Sequence, residues 1–134
     1  MSNRCANGAY LKWWLGADIS AILSSSAELV EIVGEDIYPL VAPENTDGSF
    51  IVYRRSKYTR EYGKAGLVDD KARAEIMIVS DNYETSCEIA SIVDDILTGE
   101  HHSEEGYTLS FQLYDSEEGF EDLKYTQLLI FDVN

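Results

Sequence analysis

The sequence predicts an α+β domain of two layers, a mostly antiparallel sheet of about five strands with helices packed on one face, in the order ααβββαββ. Three observations predict it. Short segments near 50–55, 72–80, 107–114 and 125–133 carry strand chemistry, apolar alternating with polar in 107–114 and apolar on both sides at Leu128 to Phe131. Apolar residues recur with helical period near 9–24, 27–33 and 81–97. The strands also come in neighbouring groups rather than alternating with helices, which favours hairpins over parallel crossovers. At 134 residues, 45% hydrophobic and 26% charged, the chain reads as one folded domain over 1–134 whose first 16 residues form an irregular or helical extension.

Tyr10, Trp13, Trp14, Ala17, Ala21 and Ile22 mark a helical face within 9–24. Gly16 weakens that helix by about 1 kcal/mol, so Asp18 is expected as the cap of a helix over Ile19 to Ser24. Ser25 with Glu28 resembles a capping box opening a helix from Ala27 to Val33, and Gly34 is placed to end it. Pro39 and Pro43 restrict Ile37 to Ala42 to a short or edge strand. After a polar turn at 44–48, Phe50 to Arg55 reads as a strand with Phe50 and Val52 on one face and Ile51 and Tyr53 on the other. Ala72 to Ser80 follows, with Ala74, Ile76 and Ile78 opposite Met77 and Val79. The simplest geometry for the segment between is a long β-hairpin arm tipped near 62–66. Asp81 with Glu84 opens a helix reaching Leu97 before Gly99. Its inner side carries Ile89, Ala90, Val93 and Leu97 and its outer side Glu84, Glu88, Ser91 and Asp95. A polar loop, a strand Tyr107 to Tyr114, an acidic loop and a strand Tyr125 to Val133 complete the chain.

Charge is the most unusual feature of the composition. Ten basic and 25 acidic side chains give −15, a surface that repels phosphate backbones and makes sequence-specific nucleic-acid binding unexpected. Seven of the ten basic residues (Arg54, Arg55, Lys57, Arg60, Lys64, Lys71, Arg73) lie within 54–73, a segment of net +4. From Ala74 to Leu123 there is no Lys or Arg and the net charge is −14. Such polarity suits head-to-tail attraction between copies. Tyr58 and Tyr62 stand among the cations of the arm, and Tyr and Arg are typical anchors of protein interfaces. Asp94 and Asp95 occupy the last helical turn, where the helix dipole disfavours them, and Glu84 with Glu88 is a like-charge i,i+4 pair. The candidate protein-contact residues are therefore Arg54, Arg55, Lys57, Tyr58, Arg60, Tyr62 and Lys64 on the arm, with Glu84, Glu88, Asp94 and Asp95 on the helix.

No phosphate-binding glycine motif, nucleophile elbow or metal signature occurs. His101 and His102 read as solvated loop residues, and Cys87 as a small buried hydrophobe. Cys5 and Cys87 are too few and too far apart for a disulfide framework, so a reducing compartment is expected. No catalytic residue, metal or cofactor is expected. The apolar runs are shorter than a membrane span, and neither anchor nor secretion signal is expected.

Ser26-Ala-Glu-Leu-Val-Glu-Ile-Val-Gly34, Asp36-Ile-Tyr-Pro-Leu-Val-Ala-Pro43 and Phe50-Ile-Val-Tyr-Arg54 occur in succession. Ala74-Glu-Ile-Met-Ile-Val-Ser-Asp81 then runs into the Tyr83 to Leu97 helix. In order and spacing these resemble the small tail-completion, or tail-terminator and head-to-tail joining, proteins of long-tailed phages and prophages. The resemblance covers about residues 17–99, and the Trp-containing N-terminus and acidic 100–122 region depart from it. It implies a non-enzymatic assembly protein that caps the tail tube, contacts the tube protein and the head–tail connector protein, and forms a hexameric ring; the like net charge of every copy opposes assembly at low ionic strength, so the isolated protein is expected to be monomeric. The resemblance places the protein in the virion tail, and in the bacterial host cytoplasm during assembly. The competing readings are an acidic inhibitor that mimics nucleic acid, against which the basic arm counts, and a small enzyme using an acid pair.

Overall fold

The computed structural model describes residues 11–102 and 106–134. Expectations resting on 1–10, including Cys5 and Tyr10, lie outside these residues. A 3₁₀ turn, Leu11–Trp14, leads into α1 (Leu15–Ser24) and α2 (Ala27–Val33). Then come β1 (Ile37–Pro39), β2 (Phe50–Gly63), β3 (Gly66–Ser80), α3 (Tyr83–Leu97), β4 (Gly99–His102), β5 (Thr108–Glu121) and β6 (Lys124–Val133). The strands form one sheet in the order β1-β2-β3-β6-β5-β4. Among the described residues β1 and β2 pair in parallel and the other pairs are antiparallel.

The α+β class is as read from the sequence, with corrections in strand number and extent. The sheet has six strands because Gly99–His102, expected as loop, pairs with β5. The 115–124 segment, expected as an acidic loop, is strand on both sides of a two-residue turn. The strand expected over Ile37 to Ala42 stops at Pro39.

Alternation decides the layering. Ile51 and Tyr53 of β2, Ala72, Ala74, Ile76 and Ile78 of β3, Leu129, Phe131 and Val133 of β6, and Leu109 and Phe111 of β5 are buried. They pack with Leu15, Ile19 and Leu23 of α1, Leu29 and Val33 of α2, and Ile89, Ile92, Val93 and Leu97 of α3. At about 1.5–3 kcal/mol per fully buried aliphatic side chain, this layer is the main favourable term of the fold. The alternate residues, including Phe50, Val52, Met77, Val79, Leu128 and Ile130, are only half-buried. They form a second, open face of the sheet.

α2 has the expected bounds, but the capping residues of α2 and α3 lie one position later than the capping-box patterns suggest. Ser26, not Ser25, accepts the Leu29 amide, and Asn82, not Asp81, accepts that of Thr85. Asp18 is not a cap, since α1 already begins at Leu15; its carboxylate accepts the hydroxyl of Tyr107, the residue before β5, at 2.8 Å. Gly34 leaves α2 at φ 61°, a conformation that costs glycine little.

Candidate interaction surfaces

β2 and β3 extend past β6, whose pairing with β3 ends at Ala72↔Val133, and close over Gly63 and Gly66. That overhang is the basic arm. β5 and β6 form a second, acidic arm that closes at Glu121↔Lys124, just past the far end of β3, where Ser80 pairs with Tyr125. The arms therefore point off opposite ends of the sheet.

A bulge between Arg55 and Lys57 reverses the alternation of the basic arm. Arg55 and Tyr58 lie on the helix side, opposite Ala74 and Ala72, while Lys57 lies on the open face opposite Arg73. At the arm's base, the Arg55 guanidinium sits 4.5 Å from the Trp13 ring centre and donates to the Trp13 carbonyl at 3.2 Å. Tyr58 meets Trp13 edge-on at 5.2 Å, and Arg60 lies 5.1 Å from the Tyr58 ring. Asp70 accepts from Lys12 at 2.6 Å and from the Tyr58 hydroxyl at 2.8 Å. Burial opposes ionisation of Asp70, but the Lys12 and Tyr58 hydrogen bonds outweigh it and hold its carboxyl below the ordinary value. Burial and the Asp70 hydrogen bond push the Tyr58 phenol up.

Of the arm residues expected to meet a partner, Arg55, Tyr58 and Arg60 are thus engaged within the chain. Arg54 pairs with Glu75 at 3.1 Å but stays largely exposed on the open face. Lys57, Tyr62 and Lys64 are exposed, and among the described residues neither lysine makes an ion pair. On α3, Glu84, Glu88 and Asp95 are exposed and Asp94 is half-buried, accepting the Thr98 hydroxyl at 2.9 Å. Among the described residues these four acids form no ion pair with the arm, so the two candidate sets are not brought together within one chain.

The open face carries a track that sequence reasoning missed. At one end is an apolar groove of about 460 Å³, floored by Phe50, Val52, Met77 and Leu128 and walled by Leu40 and Val41. Arg54 and Glu75 line its rim, and next along β2 and β3 lies a polar hollow of about 380 Å³ that includes Lys57, Lys71 and Arg73. Arg73 is held by Asp132 at 2.9 Å and lies 3.9 Å over the ring of Tyr114, the extra residue of a bulge in β5. The Asp132 hydrogen bond, above all, raises the Arg73 pKa.

The acidic arm is braced on its helix side. Glu118 accepts from the Tyr83 hydroxyl at 2.9 Å and from Gln127 at 3.3 Å. That bond and the neighbouring Cys87 push the Tyr83 phenol up to about 12. Phe120, Tyr125 and Tyr83 stack in series. Lys124 pairs with Asp81. Glu117, Glu121 and Asp122 form no ion pair among the described residues. At the tip Asp122 and Leu123 both have positive φ, 50° and 64°. Leu40 beside the groove is also left-handed, at 65°. Such backbone costs on the order of 1–3 kcal/mol at a non-glycine residue. Leu123, Val41 and Leu40 are 82%, 75% and 73% exposed, more than any other large hydrophobic described.

His101 and His102 lie in β4 rather than a loop. His101 Nε2 is 2.8 Å from the Leu97 carbonyl oxygen, and its ring meets Phe111 edge-on. His102 Nδ1 is 2.9 Å from the Thr108 hydroxyl. Cys87 is half-buried rather than buried, 3.6 Å from the Gln127 amide nitrogen. Among the described residues no three His, Cys, Asp or Glu side chains are grouped to hold a metal ion, and no described helix is long and apolar enough to cross a membrane.

No protein-family model and no curated protein sequence matches the chain. Among solved structures the fold is similar to a chain described as "Virion of native gene transfer agent (GTA) particle". The TM-score is 0.71 at 18% identity, covering 86% of this chain and 89% of that one. At that identity the likeness is one of fold.

Proposed function

We propose that this chain is a structural protein of a phage or prophage particle, one domain over its 134 residues, that caps the tail tube and helps join tail to head. The observation that carries the reading is the fold shared with a chain of a gene transfer agent particle over most of both chains. The order of motifs from Ser26 to Leu97 supports the finer assignment to tail completion, since it resembles that family and no catalytic residues carry over from it. In this reading the chain works by contact alone, as a ring of copies between tube protein and connector protein. The two arms at opposite ends of the sheet give each copy two distinct elements for those contacts. Its place is the virion tail, and the host cytoplasm while particles assemble.

The test is deletion of the gene in a particle-producing host, followed by electron microscopy of the particles. Overlong or headless tails are expected, and complementation with the wild-type chain should restore joined particles. Tails of normal length joined to heads would overturn the reading.

A further inference from the structure

Among the described residues the three most exposed large hydrophobics lie at two places, the tip of the acidic arm and the wall of the open-face groove. At each place a leucine is held at positive φ. Strained backbone that presents an apolar side chain to water is costly to the isolated chain, and it persists where the surface has another use. The two places are complementary. Leu123 is flanked by Glu121 and Asp122, free carboxylates among the described residues. The groove is apolar on its floor and opens past Arg54 toward Lys57 and Lys71. A two-residue turn lets the arm present Leu123 as a knob without folding back onto its own sheet.

We propose that the tip of the acidic arm of one copy docks head to tail on the open face of the next. Leu123 enters the groove beside Leu40 and Val41, and Glu121 and Asp122 meet Arg54 and Lys57. The occupant is a second copy of this chain because the knob, the hollow and both charge sets belong to one sequence with an unusually segregated charge. Donor and acceptor are different parts of the chain, so the contact repeats from copy to copy. This rests on the reading of the chain as a self-assembling particle protein, and names the surface that such assembly uses.

The test is disulfide trapping in a full-length background with Cys5→Ser and Cys87→Ser. Leu123→Cys protein mixed with Val41→Cys protein should give a covalent dimer that neither forms alone in that pairing. A chain carrying both cysteines should give a ladder of larger species. Arg54→Glu with Lys57→Glu should lower the trapped yield about tenfold, and Glu121→Lys with Asp122→Lys on the donor should restore it. Circular dichroism of each variant checks folding. No trapping at sub-millimolar protein, or only closed dimers from the double-cysteine chain, would overturn the proposal. So would shielding of Leu40 and Val41 from footprinting reagents that does not depend on protein concentration, since the occupant would then lie within the chain. Failed trapping beside a deletion that still yields headless tails removes this contact and leaves the proposed function standing. Trapping beside a deletion without effect does the reverse.

Discussion

Lys12 shows how far a residue's role can sit from its place in the sequence. It is the one basic side chain that is buried among the described residues, and it reaches 58 positions along the chain to Asp70. Its ion pair pins the 3₁₀ turn to the basic arm, and Trp13 follows by lying against Arg55 and Tyr58. The pH dependence follows from Asp70. Its folded pKa is lowered, so the stabilisation is present above the ordinary carboxylate value and is lost as pH falls through the lowered folded value. Lys12→Ala should cost about 1.5–3 kcal/mol at neutral pH, the range for a hydrogen bond to a charged group. It should also flatten the loss of stability on acidification, as urea unfolding at a series of pH values would measure. An unchanged acid profile would remove the pair from any part in stability. The sequence marks Trp13 as apolar and Tyr58 as an arm residue, but strict alternation from Arg55 would put Tyr58 on the opposite face, and only the bulge at Ser56 brings it to the helix side beside Arg55 and Trp13.

At the level of the element, local chemistry located each helix but not every start: α2 has the expected bounds, while α1 begins at Leu15 rather than at the expected Ile19. Both capping boxes were read one residue early, since Ser25 and Ser26, and Asp81 and Asn82, are adjacent pairs of capable caps. Only the backbone shows which one reaches the third amide. Asn82→Ala should therefore cost about 1 kcal/mol in thermal or urea unfolding. Asp81→Ala, which removes only an exposed pair with Lys124, should stay within about 1 kcal/mol of wild type. Equal losses would return the cap to Asp81. The strands 50–55, 72–80 and 125–133 were legible as short runs rich in β-branched and aromatic residues, apolar on both faces because the open face is half-buried too. The outer part of β5 was not, because Asp, Glu and Gly are poor strand formers. That part is held by pairing with β6, and on its helix side by the Tyr83–Glu118 bond and the Phe120–Tyr125 stack. Its turn also lacks the Asn-Gly signature of a tight hairpin, Leu123 standing where glycine is favoured. Asp122→Asn with Leu123→Gly should raise the unfolding free energy by about 1 kcal/mol. It should at the same time weaken self-association, which sedimentation would detect. A more stable chain that associates as before would show that Leu123 carries no contact.

For the whole molecule, the candidate site was half legible. The basic segment and the acidic half stand out in the sequence, while the groove beside Leu40 exists only once β1, β2, β3 and β6 are laid side by side. The structure also settles which charges are available. Arg55 and Arg60 stack within the chain and Arg73 is held by Asp132, which leaves Arg54, beside Glu75, with Lys57, Lys64 and Lys71 to face outward. Two opposed electrostatic effects then act on any assembly of copies. Each copy carries −15, a repulsion that acts across the whole surface and is screened once the Debye length falls to about 10 Å near 0.1 M salt. Contacts between the acidic tip and the cations of the open face act at short range and are partly shielded from ions once docked. Self-association should accordingly strengthen from low to moderate salt, as the long-range repulsion is removed, and weaken again only at high salt, as the contact pairs are screened. Sedimentation equilibrium across a salt series measures this. Arg54→Glu with Lys57→Glu should abolish the high-salt weakening, because it removes the attractive pairs and leaves only repulsion to screen. Wild-type association that weakens steadily from the lowest salt would instead mean that opposite-charge attraction outweighs the net charge at every range.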